Sequence, residues 1–542
     1  MQIEILKRDF WKGQRLILLA FLLLHTAASF YYISHQNITF DEPQYIEYAK
    51  RWLQGKPERI ELLDDSKSPV IAVCWLPRIV RQVINPDYQL NDYGRKDQAE
   101  GRYIMIIFSL ITAVYVYWWC KELYGKKGWY LPLLLLLFDP LYLSYSTIIT
   151  TDLACGTFLV TLLYHYRKYL VYAARKQFYA AAIFAGLGIV TKQTMLFVVV
   201  LLPLISLIHY FSTKETSRLF NKRAAVDALV FLCIVILVIN VSYYFHRSFT
   251  PFGRFSFESQ VLQHLQQQLS FLHWLPVPLP EAYVQSIDML KAHADLGAGK
   301  PMSTFNGVYL FGELKETGGF WYYYLVLLFY KLPIGTLLLI VASIFLFIKQ
   351  FTIEGFAKKY LFLLLPILFY GIILSFFNHF QIGIRHILLL FPLLFIGLGK
   401  LFQTVAKAKP TYKLLLGGAV VYTFISVATY YPYIIPYTNE FIGDKKTVYR
   451  KIMDSSIDYG QSDSSVSSFI AAHPGYKAES PFPAPGKYAV PMDHVLNGHL
   501  KDKNSYNPYE WYQKLEPSGL HRNVVLLFDI TEEDLEKAGL RK

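Results

Sequence analysis

Two adjacent carboxylates, Asp41 and Glu42, follow the first long apolar run of the chain, and Tyr45, Glu47 and Tyr48 come after them at helical spacing. Acids where an apolar helix meets water are costly to desolvate and seldom serve packing, so their placement suggests chemistry at a bilayer surface. As local structure, Asp41 before Glu-Pro is also a good helix cap, since acids suit the positive end of the helix dipole. A third acid, Asp152 in TTDLACGTF, opens another apolar run, where Thr150 and Thr151 can share the capping. Asp139 precedes Pro140 and reads as a helix terminator. Two acids delivered to one face from separate helices can deprotonate an acceptor hydroxyl or hold a divalent ion, which makes Asp41 and Asp152 the candidate metal ligands.

Basic residues fall on the same side of the predicted topology: Lys67 in SKSP, Arg102 in GRY, Lys192 in TKQT, and Arg385 with His386 in IGIRHILLL. Arginine grips phosphate oxygens in pairs and lysine acts as a compact charge, so these residues form a candidate phosphate-binding set. The plainer alternative is that they snorkel or pair with the same acids. Carboxylates, cations and a greasy surround fit a substrate that joins a lipid tail to a phosphate, such as an isoprenyl-phosphate-linked sugar. There the phosphate would leave, stabilised by the cations, while a carboxylate activates the attacking hydroxyl.

The elements that must position these residues are membrane helices. The 542-residue chain is 54% hydrophobic and 17% aromatic, too apolar for a water-soluble domain of ordinary composition. The first run, Leu16 to Tyr32, lacks a convincing small-residue cleavage site and reads as a retained helix rather than a signal peptide. Runs at 16–34, 102–119, 129–138 with its continuation, 153–166, 178–190, 195–211, 227–245, 333–348, 360–377, 387–402 and 412–431 predict about eleven crossings. The N-terminus and alternate loops are rich in Lys and Arg, whereas the intervening short turns hold only Lys192 and Arg385. This bias places the N-terminus in the cytoplasm and the C-terminal segment outside. The net charge of +13 is largely that topology signal; it argues for anionic membrane lipids along the inner face and against nucleic acid as a partner. Cys74, Cys120, Cys155 and Cys233 show no metal-like spacing and read as small hydrophobes without a disulfide framework.

Three outer segments are long: 35–101, 246–319 and everything after about 432. The first predicts amphipathic helices lying on the membrane, one through Tyr45, Ile46, Tyr48, Ala49, Trp52 and Leu53, another from Val70 to Val83 with Arg78 and Arg81 off its apolar face. The aromatic stretch 320–331 suits the headgroup level and predicts an interfacial or partly re-entrant helix feeding the span from Pro333. Beyond 431 the composition turns polar, with strand-like KYAV and NVVLLFDI and a helical ITEEDLEKAGL, which predicts a small α/β domain. The domain reading is therefore 1–431 for the transmembrane part, with outer loops 35–101 and 246–332, and 432–542 for a C-terminal outer domain.

These blocks resemble a known family: the GT-C membrane glycosyltransferases, near the protein O-mannosyltransferases and the aminoarabinose transferases that modify lipid A. FDEPQYIEYAKRWLQG is similar to their first-loop signature, YSTIITTDLACGTF to their second acidic turn, and GLGIVTKQTMLFVVVLLP to their Gly-rich helix ending in Thr-Lys. GVYLFGELKETGGFWYYYLVLLFYKLP, FQIGIRHILLLFPLL and YPYIIPYTNEFIG followed by DSSIDYGQS are similar to blocks of bacterial members with a small outer domain.

The resemblance implies a GT-C fold in a bacterial plasma membrane and an inverting transfer of sugar from a polyprenyl-phosphate-linked donor to a lipid, glycan or protein hydroxyl on the extracytoplasmic face. It implies Asp41 as the catalytic or acceptor-orienting carboxylate, supported by Glu42 and Asp152, with Lys67 on the lipid phosphate and Arg385 adding charge. A Mg²⁺ or Mn²⁺ ion near Asp41 and Asp152 is left open. The chain departs from the family in having Lys67-Ser68-Pro69 for the usual basic-proline motif, and Tyr459 for Trp in Asp-Trp-Gly-Gln, a change read as lying away from the acids. His246, Arg247, Arg254, His273 and Trp274 mark an aromatic loop placed to close over substrates. The readings from other classes are a lipid-linked sugar flippase or transporter and a noncatalytic envelope assembly factor.

Overall fold

The computed structural model describes residues 2–60, 67–87, 95–215, 221–296, 307–315, 318–378, 380–501 and 507–541. Parts of the segments 35–101 and 246–319, and Glu316 and Thr317 of the GVYLFGELKETGGF block, lie outside them. In chain order the first helices are α1 (Gln2–His35), α2 (Glu42–Leu53), α3 (Leu76–Ile84), α4 (Arg95–Tyr124), α5 (Tyr130–Phe138), α6 (Pro140–Tyr145), α7 (Thr151–Tyr172), α8 (Arg175–Thr191), α9 (Val198–Thr213) and α10 (Lys222–Ser242). Further helices follow at Tyr323–Lys331, Ile334–Lys349, Leu361–Ile372, Phe391–Ile396 and Pro410–Ala428.

The protein is a polytopic helical membrane protein. Among the described residues, seven helical segments are long and apolar enough to cross a bilayer: Gly13–His35, Ala99–Tyr124, Gln193–Thr213, Lys222–Ser242, Ile353–Phe377, Ile384–Ala406 and Pro410–Ala428. The pair Tyr323–Lys331 and Ile334–Lys349, bent by 118° around Leu332-Pro333, makes an eighth if counted as one span. That bend falls where the aromatic stretch was expected to feed the next helix. The remaining predicted crossings do not meet the same measure, so the count of eleven is not established. α5 has nine residues and α8 has 17. α7 has 22 but is buried along most of its length by α4, α8 and the turn Ile384–Leu390, so it needs no lipid-facing apolar surface.

Polar side chains inside the bundle are paired across helices. His25 of α1 bridges the Leu137 carbonyl and the Ser109 hydroxyl at 2.9 and 2.8 Å, and Thr112 of α4 meets Thr157 of α7 at 2.9 Å. Such pairs tie helices together where packing alone has no hydrophobic drive.

In the segment after α1, α2 buries Tyr45, Ile46, Tyr48 and Ala49. The second expected helix is a 3-10 turn, Pro69–Trp75, leading into α3. α3 turns Leu76, Val80, Val83 and Ile84 outward and tucks Arg78 over the Trp75 ring at 4.6 Å. β1 (Val308–Leu310) and β2 (Glu313–Lys315) form a short antiparallel hairpin. Near the C-terminus, β3 (Lys477–Ala478), β4 (Gly486–Pro491), β5 (Gly519–His521) and β6 (Val525–Ile530) make a four-stranded sheet in the order β3-β4-β6-β5, with helices Gln461–Ala472, Met492–Lys501 and Glu532–Lys537. The two strand-like runs seen in the sequence are β4 and β6, its central antiparallel pair.

Candidate active site

Asp41 sits in the turn between α1 and α2, yet its side chain caps no backbone N–H of α2. It points instead to the end of the bundle, where Oδ2 accepts the Tyr459 hydroxyl at 2.5 Å and Arg385 Nη1 at 3.1 Å. Arg385 also donates to the Tyr459 oxygen and lies over the Tyr459 ring at 4.6 Å. Oδ1 has no hydrogen-bond partner among the described residues, and the side chain keeps 18% of its surface exposed. Burial pushes the Asp41 carboxyl up, but the charges of Arg385 and Lys67 and the Tyr459 hydroxyl outweigh it and hold it below the usual carboxylate range.

Asp152 occupies the first turn of α7 and pairs with Lys192 Nζ at 2.5 Å, Lys192 being the extended residue that ends α8. Arg385 and His386 lie on the turn Ile384–Leu390, where His386 Nδ1 meets the Tyr324 hydroxyl at 3.4 Å. Gly156, one turn into α7, lets that helix press on the same turn: a Cβ there would stand 3.1 Å from Leu389 Cα. Asp41 and Asp152 both act electrostatically on Arg385, Tyr45 and Tyr459, so acids far apart in the chain converge at one end of the bundle. Lys67 belongs to the same cluster, buried with its Nζ 4.6 Å over the Tyr45 ring and its charge felt at Asp41. Two buried polar atoms here, Arg385 Nε and Thr150 Oγ1, have no partner among the described residues.

Glu42 and Arg102 stand apart from this arrangement. Glu42 Oε1 accepts Arg102 Nε at 2.7 Å and the Ile149 amide at 3.1 Å; Oε2 accepts Arg102 Nη2 at 2.5 Å and both the amide and hydroxyl of Thr39 at 2.8 and 2.9 Å. Arg102 also donates to the Gln36 and Asn37 carbonyls, and both side chains are 1% exposed. Every strong position on this pair is filled. Glu42, expected to support catalysis, and Arg102, expected to contact phosphate, are thus engaged with one another and pin the loop after α1 to α4 and to the turn before α7. In the aromatic loop, His246 pairs with Glu58, Arg247 with Glu281 and His273 with the Gln266 carbonyl, while Trp274 is 72% exposed. Asp139 ends α5 and caps α6, accepting the amides of Leu141 and Tyr142 at 3.0 and 3.1 Å.

Tyr459 corrects the sequence reading. It does not lie away from the acids; it touches Asp41 across a sequence separation of 418. Its turn docks on the first loop because Phe40 N donates to Tyr459 O at 2.8 Å, and because Gly460, at φ +86°, brings the backbone against Phe40 where a Cβ would come within 3.2 Å. The preceding turn is held by Lys331, buried and donating to the carbonyls of Ile435 and Ser456 at 2.9 and 2.6 Å, and by Tyr323, which donates to Asp454 at 2.6 Å. The blocks FWYYYLVLLFYK, IGIRHILLL and DSSIDYGQS thus meet in one place. The only signal of this in the sequence was their shared resemblance.

Asp41 and Asp152 are the residues expected to hold a divalent ion. Each acid already faces a protein cation, and among the described residues no three His, Cys, Asp or Glu side chains converge as a ligand set. The four cysteines are free thiols.

Sequence comparison with curated proteins gives no match. Residues 93–244 match the family described as dolichyl-phosphate-mannose-protein mannosyltransferase. Among solved structures, ArnT from Cupriavidus metallidurans bound to undecaprenyl phosphate aligns at 14% identity and TM-score 0.49, over 77% of this chain and 65% of its own. The oligosaccharyltransferase AglB from Archaeoglobus fulgidus, in complex with an inhibitory peptide and a dolichol-phosphate, aligns at 13% identity and TM-score 0.44, over 83% of this chain and 59% of its own. The chain thus spans less than two thirds of the length of either. Residues 93–244, which hold α4, Asp152 and Lys192, are thus the part of the chain similar to the family described as dolichyl-phosphate-mannose-protein mannosyltransferase.

Proposed function

We propose that the protein is a GT-C glycosyltransferase that moves a sugar from a polyprenyl-phosphate-linked donor to a hydroxyl of a lipid, glycan or protein on the extracytoplasmic face of a bacterial plasma membrane. The transmembrane part to about residue 431 carries the reaction, and the segment from 432 to 542 forms the outer domain. One observation carries the reading: Asp41 has one oxygen held by a phenol and a guanidinium and the other without a partner among the described residues, in a cluster that also contains Asp152, Lys192 and Lys67.

In this reading the free oxygen of Asp41 takes the proton of the acceptor hydroxyl as that oxygen bonds to the anomeric carbon. The bond from the anomeric carbon to the phosphate oxygen breaks, and the phosphate leaves with the electron pair, inverting the anomeric centre. Arg385, Lys192 and Lys67 supply positive charge that strengthens as the phosphate gains its own. Asp152 holds Lys192 in position. Replacing Asp41 with Asn, and separately Asp152 with Asn, and following sugar release from polyprenyl-phosphate-linked donors in membranes tests this. Turnover should fall by about two to four orders of magnitude for Asp41→Asn, the usual worth of a general base. Full turnover in both variants would rule the reading out.

A further inference from the structure

We propose that Tyr459 is a positioning residue for Asp41: its hydroxyl fixes Oδ2 so that Oδ1 stays turned toward the acceptor. This rests on Asp41 being the base of the proposed transfer, and it extends that reading to a residue in the C-terminal segment.

The argument begins with the carboxylate. The terminal torsion of an aspartate is broad and nearly two-fold, so packing around Cβ alone does not say which oxygen points where. A hydrogen bond to one oxygen sets the direction of the other. Two donors reach Oδ2, and they differ in kind. Arg385 is shared between Asp41 and the Tyr459 oxygen, and its guanidinium sits at the end of a long flexible stem. The Tyr459 ring is 5% exposed and covered on one face by that guanidinium, so its hydroxyl is delivered from a side chain with little freedom left.

The backbone beneath it is equally constrained. Tyr459 N donates to Gln461 Oε1 at 2.6 Å, Tyr459 O accepts Phe40 N at 2.8 Å, and the Gln461 carbonyl accepts Asn37 Nδ2 at 3.0 Å. The residues flanking Asp41 and those flanking Tyr459 therefore hold each other in register. Behind the turn, Asp458 Oδ1 accepts the amides of Gly460 and Ser462 at 3.1 and 3.4 Å. A donor held this firmly selects one orientation of Asp41, and reactions that depend on a near-attack geometry lose rate steeply when that orientation is lost.

Tyr459→Phe is the test, because it keeps the ring against Arg385 and removes only the hydroxyl. The full-length protein in lipid nanodiscs, grown with carboxyl-labelled aspartate, gives an infrared difference against Asp41→Asn that isolates the Asp41 carboxylate bands. Tyr459→Phe should shift and broaden those bands, and kcat for sugar release from the total polyprenyl-phosphate-linked sugars extracted from the source cells should fall about 10- to 100-fold with KM little changed. Trifluorotyrosine at 459, close in shape and a stronger donor, should move the bands the other way, which keeps the test informative if the Phe variant folds poorly. An unaltered Asp41 spectrum in both variants, or kcat within about twofold of wild type in a folded Tyr459→Phe, would overturn the proposal. If Asp41→Asn is inactive while those results hold, Tyr459 alone is misassigned; if Asp41→Asn turns over fully, the proposed function falls and this role falls with it.

Discussion

Gly156 of α7 lies against the backbone of Leu389, with room for no Cβ closer than 3.1 Å to the Leu389 Cα. Asp152 is one turn before Gly156 and Arg385 is one turn before Leu389, so this approach sets how near the second acid comes to the cations. Gly156→Val would have to push two rigid backbones apart. It should cost about 1–3 kcal/mol of stability, as overpacking of a filled interior does. It should also reduce sugar release more than an equally destabilising change elsewhere, and Gly156→Ala should give a smaller effect of the same sign. Thermal unfolding in nanodiscs alongside turnover checks both.

The buried pair of Glu42 and Arg102 makes a second prediction. Both side chains are 1% exposed, so removing one partner strands the other charge. Arg102→Met and Glu42→Gln should each destabilise the protein by about 3–5 kcal/mol. The double variant should recover part of that loss, with a coupling on the order of 1–3 kcal/mol in a double-mutant cycle. If Glu42 served the chemistry instead, Glu42→Gln would abolish turnover in protein that unfolds at the wild-type temperature.

The contrast between these acids explains what the sequence could and could not tell. Apolar periodicity located the seven long membrane segments, and the polar change after residue 431 located β4 and β6, because burial against lipid or core imposes a pattern on neighbouring residues. Asp41, Asp152, Lys192 and Arg385 were legible as a set because each is an ion at an apolar boundary. Neighbouring residues of one type were not separable by that criterion. Asp41 and Glu42 differ by one position, yet one faces the cluster and the other is sealed by Arg102, Thr39 and Ile149. Tyr459 was missed for the converse reason: its partner is 418 positions away, and a lone tyrosine in a polar segment leaves no local pattern.

His494 gives the C-terminal segment a dependence on pH. Burial lowers its basicity, but Glu479 at 2.9 Å, with Asp493 and Asp463 nearby, raises it further, to about 9. A histidine whose folded-state value is raised contributes stability that is fully present below its unfolded value of about 6.5 and is lost as pH rises through about 9. Unfolding of the C-terminal segment should therefore become easier between those two values, by on the order of 1–3 kcal/mol. His494→Gln should flatten that dependence. Hydrogen exchange of β4 and β6 at successive pH values measures it, and an unchanged slope in the variant would remove His494 as the cause.

Asp41 predicts the opposite limb for activity. Burial alone would raise its carboxyl, yet Arg385, Lys67 and Tyr459 together depress it, so the ionised form needed to accept a proton persists below the usual carboxylate range. Turnover should hold through mildly acidic conditions and be lost only as pH falls through that depressed value. Arg385→Met takes away the strongest of the lowering influences while the Tyr459 hydroxyl remains. The acid limb of kcat/KM should then move upward, so that the variant loses activity, relative to its own neutral plateau, at a higher pH than the wild type does. Its plateau should fall too, since in the proposed reaction the same guanidinium supports the leaving phosphate. The two effects are separable: a lower plateau with an unmoved limb would assign Arg385 to the phosphate alone, and a moved limb with an intact plateau would assign it to Asp41 alone.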